Sequence, residues 1–134
     1  WNLVVGDNNG GVDEYIGSSG QDILMAGLAS STTLYGGDGQ DVMIGDDYGR
    51  VTKFELGNRD SAWDQIADII QGFGEEDVLD LSNLGISDES SLSFTGNDLF
   101  DNAGNKIAEF SNFDDGYSLQ QLTEDGTIIY SGTA

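Results

Sequence analysis

Cysteine and histidine are both missing from this chain of 134 residues. Their absence removes disulfides, thiol nucleophiles, imidazole bases and the usual zinc or copper ligands. Oxygen is the donor that remains, and oxygen suits a hard cation. Positive charge is scarce as well. Arg50, Lys53, Arg59 and Lys106 stand against 25 acidic residues, for a formal charge of −21. Such a balance repels nucleic-acid phosphates and anionic lipid, so neither nucleic acid nor membrane insertion is expected. No apolar run is long enough to cross a bilayer, and no signal peptide opens the chain. The sequence starts at Trp1 rather than at methionine, which reads as an excised portion of a longer protein. The lack of cysteine fits an exported chain that does not rely on oxidation.

What is present argues for a fold. Hydrophobic residues make up 37% of the chain and aromatic residues 10%, which sets it apart from a disordered acidic tail. Its length is enough for one domain with a modest core. So acidic a chain repels itself, and compaction is expected to need bound cations.

The stretch Gly36-Gly37-Asp38-Gly39-Gln40-Asp41-Val42-Met43-Ile44 reads G-G-x-G-x-D-x-U-x, with U a large apolar residue. This is the nonapeptide of calcium-bound parallel β-structure. Glycines let a tight turn expose its carbonyls, and the aspartate adds a carboxylate at the end of the turn. Related units precede it. Residues 17–25 carry Gly17, Gly20, Asp22 and Leu24, and residues 8–16 carry Gly11, Asp13 and Tyr15. Residues 27–35 keep Gly27 and Leu34 but place Thr32 where aspartate is expected. Residues 45–53 keep Gly45 and place Arg50 there, so the array decays. Short strands between glycine turns cannot bury a face alone, whereas stacking them in a parallel coil does so. Two nonapeptides complete one coil. Turn 17–22 is therefore expected beneath turn 36–41, and turn 8–13 beneath turn 27–32, with Val4, Tyr15, Leu24, Leu34 and Met43 pointing inward. The competing reading is a set of ordinary hairpins, which do not demand aspartate at a fixed offset after glycine.

With GSSGQDILM at 17–25, GGDGQDVMI at 36–44 and the weaker copy NNGGVDEYI at 8–16, the chain resembles the RTX, or hemolysin-type, calcium-binding repeat family. The resemblance implies an all-β fold. Residues 1–54 would form a parallel β-roll. Residues 55–134 would form a capping, secretion-related region of short antiparallel strands packed on the roll, with little helix and one compact domain overall. It also implies Ca²⁺ between turns two repeats apart. Carried onto this sequence, one site takes Ser18, Gly20 and Asp22 from below and Gly36, Asp38 and Asp41 from above. That oxygen set suits calcium's preference for about six to eight ligands. A second takes Asn9, Gly11 and Asp13 with Gly27 and Ala29, and lacks an upper carboxylate because of Thr32. A third takes Gly37, Gly39 and Asp41 with the next turn on that side. Gly45 and Asp47 are its candidates, in a turn that departs from the pattern and also holds Asp46.

Past the array, Val51 and Phe54 suggest one more strand. Residues 64–73 and 77–82 are similar to the D-x-I-x-D-F and D-x-I-D-L-S segment that succeeds RTX arrays, with Gly72 where aspartate is usual and a shortened turn. Ile66, Ile69, Ile70, Phe73, Leu79 and Leu81 are expected to cover the open end of the coil, which would otherwise expose strand edge and core. Short strands are expected around 92–94, 99–100, 107–110 and 127–130 in a half-buried antiparallel sheet, with a short helix at 117–122 that starts near Ser118. Trp1 and Trp63 read as core or capping residues, with a ligand-facing role as the other reading.

The resemblance implies a bacterial type I secreted protein that folds on calcium outside the cell and supports a larger extracellular protein. Its partners would be calcium ions and the upstream domains of the parent. The alternative is a carbohydrate-binding or adhesin module with a glycan as partner, although the repeat faces carry no clustered aromatic row. Catalysis is not expected. Paired carboxylates run glycoside hydrolysis without histidine, but acidic residues are too abundant here to single out a pair.

Overall fold

The computed structural model describes residues 3–5, 12–17, 21–26, 31–36, 40–45, 51–56, 68–74, 77–84, 86, 90, 92–101, 104–113 and 128–129. Their structure is all-β, in two sheets. The first contains β1 (Leu3–Val5), β3 (Ile23–Met25), β5 (Val42–Ile44), β7 (Asp68–Phe73), β9 (Leu92–Thr95), β10 (Asp98–Asp101) and β11 (Lys106–Phe113), in the order β1-β3-β5-β7-β11-β10-β9. The second contains β2 (Val12–Ile16), β4 (Ser31–Tyr35), β6 (Val51–Glu55), β8 (Val78–Asp80) and β12 (Ile128–Ile129), in the order β12-β8-β6-β4-β2. From β1 to β8 the chain alternates between the sheets, and each strand pairs in parallel with the strand two positions along.

The registers carry the repeat. Ile23 lies opposite Val42, and Val12 opposite Ser31, each nineteen residues on. That offset equals the separation expected between turns 17–22 and 36–41 and between turns 8–13 and 27–32. The apolar position of each strand stacks in one column per sheet. Leu24, Met43 and Ile70 are in register in the first sheet, and Leu34, Phe54 and Leu79 in the second. All six are fully buried in one shared cluster. Tyr15 packs partly buried against it, as expected, while the side chain of Val4 lies outside the described residues. A strand of three residues holds one such side chain, worth about 1.5–3 kcal/mol on burial. That does not offset the roughly 1–2 kcal/mol per residue lost in ordering the backbone. Stability therefore comes from the stack.

Three features depart from the expectation. β7 and β8 do not cover an open end. They pair in parallel with β5 and β6 and continue the coil, Val42 opposite Ile69 and Lys53 opposite Val78. The β6–β7 connection lengthens to residues 56–67, and parallel strands tolerate long crossovers. β6 and β8 thus lie side by side in the second sheet, and β7 extends the first. The second departure is β12, which runs parallel to β8, so the closing strand is another rung of the coil. Antiparallel pairing is confined, among the described residues, to β9, β10 and β11, with the β9–β10 turn at Gly96 and Asn97. Third, β11 joins that hairpin to the coil by pairing in parallel with β7. The helix expected at 117–122, together with Trp1, Trp63 and Ile66, lies outside the described residues. No helix among the described residues is long and apolar enough to cross a membrane.

Three rings tie the sheets together. Phe54 and Phe73 have centroids 5.4 Å apart with a 57° tilt, and Phe73 meets Phe110 edge-on at 5.7 Å and 88°. Phe73 is fully buried between the other two. Phe73→Ala is expected to cost about 3–5 kcal/mol of unfolding free energy. Urea denaturation in the presence of calcium checks it.

Candidate metal centre

The first glycine and the sixth-place aspartate of a repeat are locked together sterically. A Cβ on Gly17 would stand 2.6 Å from Asp22 Oδ2, and a Cβ on Gly36 would stand 2.6 Å from Asp41 Cγ. Each aspartate therefore folds its carboxylate back over its own glycine, into space that any side chain would fill. The Gly17 cradle has a second wall. The Gly36 carbonyl oxygen, from the next coil, lies 2.8 Å from the same point. Asp22 and Gly36, placed in one site by their spacing, thus bring two oxygens into one small volume.

The carboxylates also bridge rungs. Asp41 Oδ1 accepts the Asp22 backbone N–H at 2.9 Å, while Val42 N–H donates to the Asp22 carbonyl at 2.9 Å. The arrangement repeats one rung on. Asp68 Oδ1 accepts the Asp41 N–H at 2.9 Å, and Ile69 N–H donates to the Asp41 carbonyl at 2.8 Å. At the entry of each strand a side-chain oxygen takes the place of a ladder carbonyl. Asp22, Asp41 and Asp68 form one column, with exposures of 1%, 0% and 5%. Adjacent rungs lie about 4.8 Å apart.

Asp68 lies outside the nonapeptides, and motif spacing misses it because the chain takes 27 residues to return from Asp41. A shorter pattern would have found it. Asp22-Ile23-Leu24-Met25, Asp41-Val42-Met43-Ile44 and Asp68-Ile69-Ile70-Gln71 each open a strand of this sheet with aspartate. The second sheet has the matching column. Thr32 and Thr52 are in register, and Asp77 Oδ1 accepts the Thr52 N–H at 2.9 Å. Asp77 is fully buried, and its other oxygen accepts the Gly74 N–H at 2.9 Å. Asp13 pairs with Thr32 in register, and only its backbone is described.

Of the remaining expected ligands, Ser18, Gly20, Asp38, Asn9, Gly11, Gly27, Ala29, Gly37, Gly39 and Asp47 lie outside the described residues. Gly45 ends β5, where a Cβ would meet the Phe54 ring at 3.0 Å and the Gly72 carbonyl at 3.1 Å. Among the described residues no three acidic side chains gather into a metal-holding group by themselves. The oxygens that converge are an Asp22 carboxylate oxygen and the Gly36 carbonyl, with the Asp41 carboxylate bonded to the Asp22 N–H. Oxygen donors of this kind suit a hard cation.

A separate clasp joins β6 and β8 within the second sheet. Asp80 pairs with Lys53 at 3.1 Å and accepts from Ser82 N–H at 2.9 Å and Ser82 Oγ at 2.6 Å. Burial alone would raise the Asp80 carboxyl; the Ser82 hydrogen bonds and the Lys53 ammonium outweigh it and hold the group below its ordinary value. A lowered folded value contributes stability that is complete above the unfolded value of about 3.9 and is lost as pH falls through the folded value.

Gly36→Ala is expected to destabilise the protein by about 1–3 kcal/mol, because its Cβ overlaps the Asp41 carboxylate; chemical denaturation reads this. Lys53→Met is expected to lower the urea midpoint at pH 7, with a difference that shrinks as Asp80 protonates below about pH 3.9.

Comparisons of this chain with protein-family models, with curated proteins and with solved structures found no match.

Proposed function

We propose that this chain is a calcium-binding module whose parallel coils are completed by Ca²⁺ ions, a β-roll of the RTX type. The observation that carries the reading is the Asp22–Asp41 pair. Two carboxylates are buried one rung apart, each held over the first glycine of its own repeat, and a carbonyl of the next coil converges on one of them. Buried like charges are strongly unfavourable unless opposite charge joins them.

Asp22, Asp41 and the Gly36 carbonyl would hold the ion together with carbonyls of their turns, and Asp68 extends the same column. Calcium bound there supplies positive charge to the column and holds neighbouring turns together. The residues supply the rest. The carboxylates align the rungs through backbone N–H groups, the glycines leave room for them, and the apolar columns exclude water behind them. Binding then adds directly to folding free energy. Magnesium is a poor substitute, because it demands strict octahedral geometry and dehydrates reluctantly.

A module of this kind stays unfolded where calcium is scarce and folds where it is plentiful. That behaviour suits export of an unfolded chain by a bacterial type I route and folding outside the cell. There it would support the folding and stability of a larger extracellular protein. In this reading the module itself is non-catalytic.

Circular dichroism in EDTA, then with calcium, with magnesium as control, tests the reading. Strand signal is expected to appear with calcium and not with magnesium. Asp22→Ala and Asp41→Ala are each expected to weaken apparent calcium affinity by about tenfold or more, equivalent to about 1.4 kcal/mol. Unchanged titrations in both variants would overturn the ligand assignment.

A further inference from the structure

The first sheet ends on β9, which among the described residues pairs with β10 alone. Edge strands are usually blunted by charge, proline or a bulge. β9 has none of these. It lies in the uncharged stretch Ser90-Ser91-Leu92-Ser93-Phe94-Thr95-Gly96-Asn97, and its ladder with β10 runs without a register shift. Phe94 is 42% exposed, although its cross-strand neighbour Leu99 is fully buried. Ser93 and Thr95 are exposed as well. The carboxylates of the neighbouring strand are engaged. Asp98 pairs with Lys106 at 3.7 Å, and Asp101 accepts Asn105 N–H at 2.9 Å and Asn105 Nδ2 at 3.1 Å.

The hairpin fixes which backbone groups look outward. Gly96, at φ +60°, and Asn97 make a two-residue turn, so Thr95 and Asp98 close it as a hydrogen-bonded pair. Bonded and unbonded positions alternate along an antiparallel ladder, which directs the N–H and C=O groups of Leu92 and Phe94 away from β10. We propose that this edge is a homodimer interface, in which β9 pairs antiparallel with β9 of a second copy about a two-fold axis at Ser93. Side chains of one face must oppose one another across the pair. An axis at Ser93 meets that condition and sets Leu92 opposite Phe94 of the second copy, twice. Those are the positions whose backbone groups point outward, and the exposed ring is covered. An axis at Phe94 would instead set Leu92 against the turn residue Gly96. Charge favours the same edge. Each copy carries a formal −21, and an uncharged strand beside engaged carboxylates lets two such chains meet. A two-fold contact closes on itself, so assembly stops at two chains. The interface needs a folded chain and is otherwise independent of the calcium reading.

Sedimentation velocity of the full chain in calcium, at an ionic strength of about 0.15 M to screen the net charge, tests this. The wild type is expected to pass from monomer to dimer between about 10 and about 500 µM, the weak range of a small interface. Phe94→Lys is expected to raise the dimer dissociation constant at least about tenfold. Ile16→Lys changes a residue that is 53% exposed on β2 and is expected to leave the constant unchanged. Ser93→Lys and Ser93→Glu are each expected to stay monomeric alone and to dimerise when mixed, because the axis sets residue 93 opposite itself. A wild type that stays monomeric, growth beyond two chains, or no association in the mixture overturns the proposal. So does a dimer that survives Phe94→Lys or is lost in Ile16→Lys. Far-UV circular dichroism shows which variants fold, and should Phe94→Lys not fold, the Ser93 pair decides.

Discussion

The burial of aspartate at the start of successive rungs is the constraint on which the rest of this architecture depends. Asp41 and Asp68 cannot move to solvent without giving up the bonds that start each strand in register. They cannot be neutral apolar residues either, because the N–H groups they accept would be left buried without an acceptor. Glycine at the first place of the repeat answers the same requirement, since only hydrogen fits beside the folded-back carboxylate. The motif is thus a steric and electrostatic unit rather than a set of ligands alone. Its first and sixth places each answer to a contact within the coil.

Much of this was legible in the sequence. The nine- or ten-residue spacing of Leu24, Leu34 and Met43 pointed to the parallel stacking and the inward side chains. The pairing of Asp22 with Asp41 came from the same count. What spacing could not reveal was the continuation of the parallel stack past β6. Asp68 and Asp77 return to the stack after connections of irregular length, and no period links them to Asp41 or Thr52. Their place in the stack is set by tertiary register, which the repeat period does not encode, although the aspartate that opens each strand of the first sheet marks Asp68. The apolar residues of 69–81 were visible as buried, but burial alone does not distinguish a lid from another layer. The parallel direction of β12 was hidden for the same reason: Ile128 and Ile129 read as a strand of either sense.

The two sheets solve the charge problem differently. In the first, carboxylates stack on carboxylates. In the second, threonine occupies the equivalent places at 32 and 52, and the column ends on Asp77 with N–H groups at both oxygens. Thr52 keeps the backbone geometry without adding charge, although its buried hydroxyl has no hydrogen-bond partner among the described residues. An unsatisfied hydroxyl of this kind costs less than a second buried charge. The asymmetry confines the electrostatic demand to one face of the coil.

The β9–β10 hairpin has a consequence for growth. It reverses strand direction at one border of the first sheet, so a further parallel layer finds no matching edge there. At the opposite border, β1 and β2 present parallel-type edges in both sheets. The first sheet is therefore polar, with a terminator at one side and an extensible side at the other. Whole turns can be gained or lost at the extensible side in the course of evolution without disturbing the terminator, so the length of such a protein is free to vary in steps of a complete winding.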